Sequence, residues 1–173
     1  MNILITGKPG VGKTTLIHTV VKESSNVSGF FTREIRENKQ RVGFAIETMD
    51  SKKGVLAHMT IESPFRVSKY GVNLKDIDGI CVPSMNLDAD IIVIDEIGKM
   101  ELFSEKFKHK VAKALDTQKV IATILERPHP FTDTIKKRED VRLFTVTEKN
   151  RNDLVTVLKT ELLNRLSERN RDY

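Results

Sequence analysis

The sequence predicts an α/β domain whose mostly parallel sheet carries helices on both faces, with an antiparallel hairpin insert after the first helix. Short continuous apolar runs alternate with segments of helical spacing, and a glycine-rich loop separates the first run from the first helix. The stretch after this helix alternates between apolar and polar residues instead, which is typical of antiparallel strands. A length of 173 residues suits one domain spanning 1–173.

The N-terminal half is predicted to hold one buried strand, one helix and the insert. Residues 3–5 form an apolar run before the glycines, and residues 15–21 after them have one apolar face. Residues 30–36 and 41–48 flank a turn-prone segment, and the pair predicts the hairpin. Three further segments give weaker signals: antiparallel strands at 55–61 and 65–70, and a short helix at 76–85 that ends near Pro83.

The C-terminal half alternates buried strands with helices. A continuous apolar run at 89–95 predicts a buried strand of a parallel sheet, and the segments 119–125 and 141–146 predict two more. Residues 102–115 have helical spacing, and the last helix carries a leucine every four residues. This leucine row predicts a face buried in the core rather than a dimer seam. Its members are Leu154, Leu158, Leu162 and Leu166.

A phosphate-binding loop of the form G-x-x-x-x-G-K-T lies between the first strand and the first helix. Its glycines let successive backbone N–H groups point inward at a phosphate, and the helix adds the positive end of its dipole. Lys13 is expected to reach the β- and γ-phosphates, and the Thr14 hydroxyl to hold Mg²⁺. The residues expected to contact the nucleotide are Gly7, Lys8, Pro9, Gly10, Val11, Gly12, Lys13, Thr14 and Thr15. Strand, loop and helix together predict a P-loop NTPase fold that binds a nucleoside triphosphate.

Two acidic residues end the apolar run at 89–95. Asp95 is expected to hold the magnesium ion at the carboxyl end of a Walker B strand. Glu96 is expected to orient or deprotonate a water in line with the γ-phosphate, although a solvent-facing loop carboxylate is the simpler alternative. Thr123, in the next strand, either bonds this water or the γ-phosphate or is there as a β-branched residue that suits a strand.

Phosphoryl transfer also calls for a cation near the charge that builds on the moving group. The sequence does not choose among the candidates, which are Arg33, Arg36, Lys99, Arg127 and the basic run at 136–138. His18, His58 and His109 show no metal-ligand spacing and are expected at structural or surface positions.

Composition narrows the class of protein further. No apolar stretch is long enough for a membrane span and no signal peptide is recognisable, so we expect a cytoplasmic protein. The single cysteine, Cys81, excludes an internal disulfide and is expected in the core. The net charge of +5 allows nucleic-acid contact, which we do not favour because a positive field equally suits a nucleotide site. Oligomeric state is not predictable from these features.

Three segments carry a resemblance to a known family. The stretch 95–102, which reads DEIGKMEL, together with residues 29–36 and 69–73, resembles small nucleoside-triphosphatases first named from thermophiles, whose vertebrate members are called cancer-related. The resemblance covers nearly the whole chain. It implies a P-loop α/β domain, slow magnesium-dependent hydrolysis of several nucleoside triphosphates, and a site formed by the loop at 7–14 with Asp95 and Glu96.

The expected function is hydrolysis of nucleoside triphosphates, ATP and GTP among them, with weak base selectivity. A kinase that transfers the γ-phosphate to a nucleotide or nucleoside is the first alternative, since transfer to water and to an acceptor use nearly the same groups. A GTPase switch would need an Asn/Thr-Lys-x-Asp guanine-reading motif, and neither 147–150 nor 38–41 supplies its Asp. A module that uses nucleotide to gate an RNA or protein partner is the remaining alternative.

Overall fold

Within residues 1–169, which a computed structural model describes (side chains through Ser167), nine strands form one sheet. The order across it is β5-β6-β4-β3-β2-β7-β8-β1-β9. The strands are β1 (Asn2–Thr6), β2 (Val27–Glu37), β3 (Gln40–Thr48), β4 (Lys53–His58), β5 (Arg66–Val67), β6 (Tyr70–Val72), β7 (Ile91–Ile97), β8 (Val120–Ile124) and β9 (Val141–Thr145). The helices are α1 (Lys13–Val21), α2 (Leu74–Asp76), α3 (Val82–Ser84), α4 (Glu105–Asp116), α5 (Pro130–Lys136) and α6 (Arg151–Arg169). A π-helical turn (Ile77–Cys81) joins α2 to α3, and a 3₁₀ turn (Glu101–Phe103) precedes α4.

The parallel half of the sheet places the two predicted motifs, the phosphate loop and the acidic pair, at one edge. Strand β8 lies between β1 and β7, pairing Ile3 with Ile121 and Ala122 with Ile94. Because parallel strands end at the same edge, the loop after β1, the acidic pair ending β7 and the end of β8 converge there. The β7–β8 register shifts between Ile94 and Ile97, where the Asp95–Glu96 peptide is cis.

The predicted hairpin insert is confirmed, and it is continuous with the main sheet. Strand β2 pairs in parallel with β7 over its first four residues, then antiparallel with β3 from Phe30 onward. Gly29 stands at this junction with φ +103, where a Cβ would lie 1.9 Å from the Val93 carbonyl oxygen. Only glycine allows the two strands to approach so closely.

The antiparallel region extends beyond the hairpin, as predicted from residues 55–61 and 65–70, but it contains three strands instead of two. Strand β4 matches the first predicted segment, whereas the second is divided into β5 and β6 by a turn at Ser68, whose φ is +54. The predicted short helix at 76–85 is longer at its start, where the Asn73 side chain caps it. The helix ends near Pro83, as predicted: Pro83 lies in the first turn of α3, where proline is tolerated, and α3 ends at Ser84.

Two hydrophobic clusters, one on each face of the sheet, confirm the layered α/β prediction. One packs α4 and the 74–84 segment against the sheet through residues such as Phe30 and Phe107. Cys81 is buried in this cluster, as predicted. The other packs α1 and α6 against the opposite face. Leu158 and Leu162 are buried there, and the leucine row is therefore a core face.

No helix within residues 1–169 is long and apolar enough to cross a membrane.

Candidate active site

The glycine loop connects β1 to α1 and depends on two backbone conformations that side chains disfavour. Gly12, at the helix N-cap, has a left-handed conformation with φ +101. Gly7 has φ +146, and a Cβ on it would lie 2.5 Å from the Val146 carbonyl oxygen. The loop therefore turns tightly enough to bring its backbone to the start of α1.

The first turn of α1 is open to an anion. No side chain caps this turn and no acidic residue lies in it, so its N–H groups are available to phosphate oxygens. The Lys13 ammonium folds back over the loop, donating hydrogen bonds to the Gly7 carbonyl at 2.8 Å and the Lys8 carbonyl at 3.0 Å. The hydroxyl-bearing Thr14 and Thr15 are exposed beside it.

Asp95 is buried and has one carboxylate oxygen committed and one available. Its Oδ1 accepts a hydrogen bond of 2.7 Å from the Thr123 hydroxyl, whereas Oδ2 is buried with no hydrogen-bond partner among the described residues. Burial raises the pKa of Asp95, and the neighbouring Thr123 and Thr14 hydroxyls partly offset this by lowering it. A cation would compensate the unpartnered oxygen at this position.

The donor set around Asp95 suits Mg²⁺ better than metals held in protein cages. No cluster of three or more histidine, cysteine or acidic side chains capable of holding a metal occurs in the described part of the chain. Magnesium is held by one or two protein oxygens, with phosphate and water completing its octahedral shell. Asp95 and the adjacent Thr14 hydroxyl fit that pattern.

Two further carboxyl groups flank Gly98 just past Asp95. A Cβ placed on Gly98 would lie 3.1 Å from a Glu96 carboxylate oxygen and 3.2 Å from one of Glu101. Burial raises the pKa of Glu96, with Lys13 lowering it and Asp95 raising it. The pKa of Glu101, which is buried, is raised further by burial and by the charge of Glu96. Glu101 lies within the stretch 95–102, which resembles the nucleoside-triphosphatase family, but it was not among the residues predicted for the site.

A cleft of about 430 Å³ brings the predicted residues together. It is lined by the Asp95–Glu96 pair and Thr123, by residues of the hairpin, and by six of the nine residues expected to contact the nucleotide. These six are Pro9, Gly10, Gly12, Lys13, Thr14 and Thr15, whereas Gly7, Lys8 and Val11 do not line it. Of the cations proposed from the sequence, only Arg33 lines this cleft; Arg36, Lys99, Arg127 and the run at 136–138 do not. The hairpin also contributes Thr32, Glu34, Arg41 and Phe44 to the wall.

Arg41 is the cleft cation that sequence reasoning missed. Its Nε donates to the Tyr70 hydroxyl at 3.1 Å, and its Nη1 donates to Glu34 at 2.9 Å. The guanidinium also stacks near the rings of Phe44 and Tyr70, at 5.1 and 5.7 Å from their centroids. The hydrogen bonds to Tyr70 and Glu34 raise the pKa of Arg41. The register between β2 and β3 is the signal that would have identified Arg41. A bulge after Ile35 shifts this register, so the alternation of apolar and polar residues does not reveal it.

Comparisons with known proteins show the family of the chain. A profile of the NTPase family matches residues 2–159. The nucleoside-triphosphatase THEP1 of Thermotoga maritima is 49% identical over 166 residues, covering 94% of this chain and 95% of that one. The human cancer-related nucleoside-triphosphatase is 38% identical, covering 92% and 95% of the two chains.

Solved structures show the same fold. The crystal structure of THEP1 from Aquifex aeolicus superposes with a TM-score of 0.86 at 36% identity, over 94% of this chain and 99% of that one. The solution structure of a human cancer-related nucleoside triphosphatase gives a TM-score of 0.77 at 38% identity, over 92% and 95% of the two chains. With a profile match over most of its length and relatives this similar, the chain belongs to the NTPase family of P-loop proteins that includes THEP1.

Proposed function

We propose that this protein hydrolyses nucleoside triphosphates to nucleoside diphosphate and phosphate, with Mg²⁺ as cofactor. The observation that carries the proposal is one cleft that holds the phosphate loop, the unpartnered Asp95 oxygen and the Glu96 carboxylate together. The relatives described above, whose names state nucleoside-triphosphatase activity, support the same reaction.

The phosphate loop and the start of α1 are the parts of the site that would bind the triphosphate. The open N–H groups of the first turn donate hydrogen bonds to phosphate oxygens, and the Lys13 ammonium exchanges its two loop carbonyls for the β- and γ-phosphates. Thr14 and Asp95 are the residues that would hold Mg²⁺. When bound, the ion neutralises phosphate charge and orients the β- and γ-oxygens.

Hydrolysis needs a water held in line with the γ-phosphorus, and Glu96 is the residue we assign to it. In the reaction, the water oxygen bonds to the γ-phosphorus as the bond to the β,γ-bridging oxygen breaks, and Glu96 takes the water proton. Thr123 positions Asp95 by its 2.7 Å hydrogen bond. Arg41, already oriented by Tyr70 and Glu34, is the cation we assign to the charge that develops on the transferred group.

Phosphorus NMR of the purified protein with ATP, Mg²⁺ and a mixture of nucleoside monophosphates tests this proposal. We expect ADP and orthophosphate in equal amounts, at a rate that the monophosphates do not change. New diphosphate signals from the added monophosphates would instead show a kinase, and would remove water activation from Glu96. Absence of turnover of either kind would refute both and leave a nucleotide-gated binding module.

The remaining features stay predictions. Weak base selectivity follows from the missing guanine-reading motif, and a strong preference for GTP would contradict it. A cytoplasmic location and the secondary place of nucleic-acid binding rest on composition alone.

A further inference from the structure

A second cavity, of about 510 Å³, lies between α1 and the β2–β3 hairpin. It is continuous with the phosphate cleft, because Thr14, Thr15, Thr32 and Arg33 line both. Its other walls come from the exposed side of α1 and from the end of β3.

The direction of a bound triphosphate leads into this cavity. In a phosphate loop the lysine reaches the β- and γ-phosphates, whereas the backbone at the start of the helix holds the α- and β-phosphates. The γ-phosphate therefore lies towards Glu96, and the α-phosphate lies near Thr14 and Thr15. A nucleoside attached to this phosphate would leave the loop beside these threonines, which line the second cavity.

Two ring side chains line the cavity among polar and charged residues. The rings of His18 and Phe31 contact each other at a tilt, with centroids 5.5 Å apart and planes inclined by 53°. Phe31 is half-buried, and Met49, which also lines the cavity, is 37% exposed. The charged residues that line the cavity are Arg33 and Glu47, which are paired with each other, and Lys22.

We propose that this cavity, formed around Thr15, His18, Phe31 and Met49, binds the nucleobase and ribose of the substrate by stacking. Aromatic faces bind every base, because each base has a π-face, and they do not read its hydrogen-bonding edge. The assignment rests on the proposed hydrolysis of nucleoside triphosphates, and it is consistent with the weak base selectivity predicted above.

The test compares substrates with and without a nucleoside, using the full chain. Phe31→Ala and His18→Ala should each raise the KM for Mg·ATP and for Mg·GTP by about ten-fold or more, the scale of a lost base–aromatic stack. Neither change should alter kcat by more than about two-fold, because neither residue lines the phosphate cleft. The inhibition constant of magnesium tripolyphosphate, which has no base, should stay unchanged. Phe31→Trp should restore the KM for both nucleotides.

Phe65→Ala is the matched control, since Phe65 is an exposed aromatic residue that lines neither cavity. Unchanged KM values for ATP and GTP in Phe31→Ala and in His18→Ala would overturn the proposal. So would an equal weakening of nucleotides and tripolyphosphate, because that pattern means a general distortion of the loop.

A direct binding measurement separates this proposal from the proposed reaction. Calorimetric affinities for Mg·ADP and for magnesium pyrophosphate do not require turnover. If Phe31→Ala binds Mg·ADP more weakly than wild type but binds magnesium pyrophosphate equally well, the base site is supported even in a protein that hydrolyses nothing. Equal binding of ADP by wild type and variant would reject the base site even if hydrolysis is established.

Discussion

The parallel and antiparallel halves of the sheet contribute to the cleft in different ways. In the parallel half, Lys13, Asp95 and Glu96 follow directly from strands that end at one edge, so topology alone brings them together. In the antiparallel half, Arg41 reaches the cleft through strand register and through contacts with Tyr70, which lies two strands away. The parallel half thus contributes Lys13, Asp95 and Glu96, the groups that we expect phosphoryl transfer to require. The hairpin contributes Arg41 to the wall of the same cleft.

The largest effect is expected in the parallel half, from Lys13→Ala. Loss of the ammonium removes the main positive charge at the β- and γ-phosphates and should lower kcat/KM by about 10³-fold. Steady-state phosphate release with Mg·ATP measures it. Lys99→Ala, which removes an exposed cation outside the cleft, is the control and should remain within about two-fold of wild type. Unchanged turnover in Lys13→Ala would exclude the phosphate loop from the reaction.

Glu96→Gln tests the other function of this half. The variant should bind Mg·nucleotide normally yet hydrolyse it about 10²-fold more slowly, because the amide cannot accept the water proton. Binding by calorimetry and turnover by phosphate release separate the two effects. Asp90→Asn, at an exposed acidic residue just before the same strand, controls for the loss of one negative charge. Normal turnover by Glu96→Gln would show that another group orients the water.

The halves also differ in how far they could be predicted from the sequence. The phosphate loop and the acidic pair have fixed spacings beside recognisable strands, because the chemistry demands those residues in that order. Arg33 was one candidate among several, and Arg41 was missed. A bulge after Ile35 changes which hairpin side chains face the cleft. The hydrogen bond from Arg41 to Tyr70 also depends on strand pairings across β4, which the alternation of apolar and polar residues does not reveal. Glu101 was missed because its place beside Gly98 requires the turn after β7.

Arg41→Ala tests the contribution of the hairpin. Without its guanidinium, kcat should fall by about ten- to a hundred-fold with little change in KM, because the charge is needed mainly as the γ-phosphoryl group moves. Tyr70→Phe, which removes one hydrogen bond that orients Arg41, should cost only a few-fold. Arg36→Ala is the matched control, since Arg36 pairs with the same Glu34 carboxylate but does not line the cleft. Equal losses in Arg36→Ala and Arg41→Ala would assign the effect to hairpin structure.

The smallest effect on activity is expected at Glu101, where the prediction concerns stability and pH. Its pKa in the folded protein is raised well above the ordinary value of 4.5 by burial and by Glu96. The unfolded chain ionises this group from about pH 4.5, so the native state binds more protons over the interval up to the raised pKa. The free energy of unfolding therefore falls with rising pH in that interval, by at most about 1.4 kcal/mol per pH unit from this one group.

Glu101→Gln removes the ionisation while keeping an uncharged side chain of the same shape. Its stability relative to wild type should therefore increase steadily from about pH 5 up to the raised pKa of Glu101, whereas turnover at neutral pH should change less than about three-fold. Urea unfolding across that range measures the difference, with the exposed Glu62→Gln as a control whose difference from wild type stays flat. A constant stability difference for Glu101→Gln would mean that Glu101 is ionised in the native protein. The 3₁₀ turn after β7 would then hold a full negative charge beside Glu96.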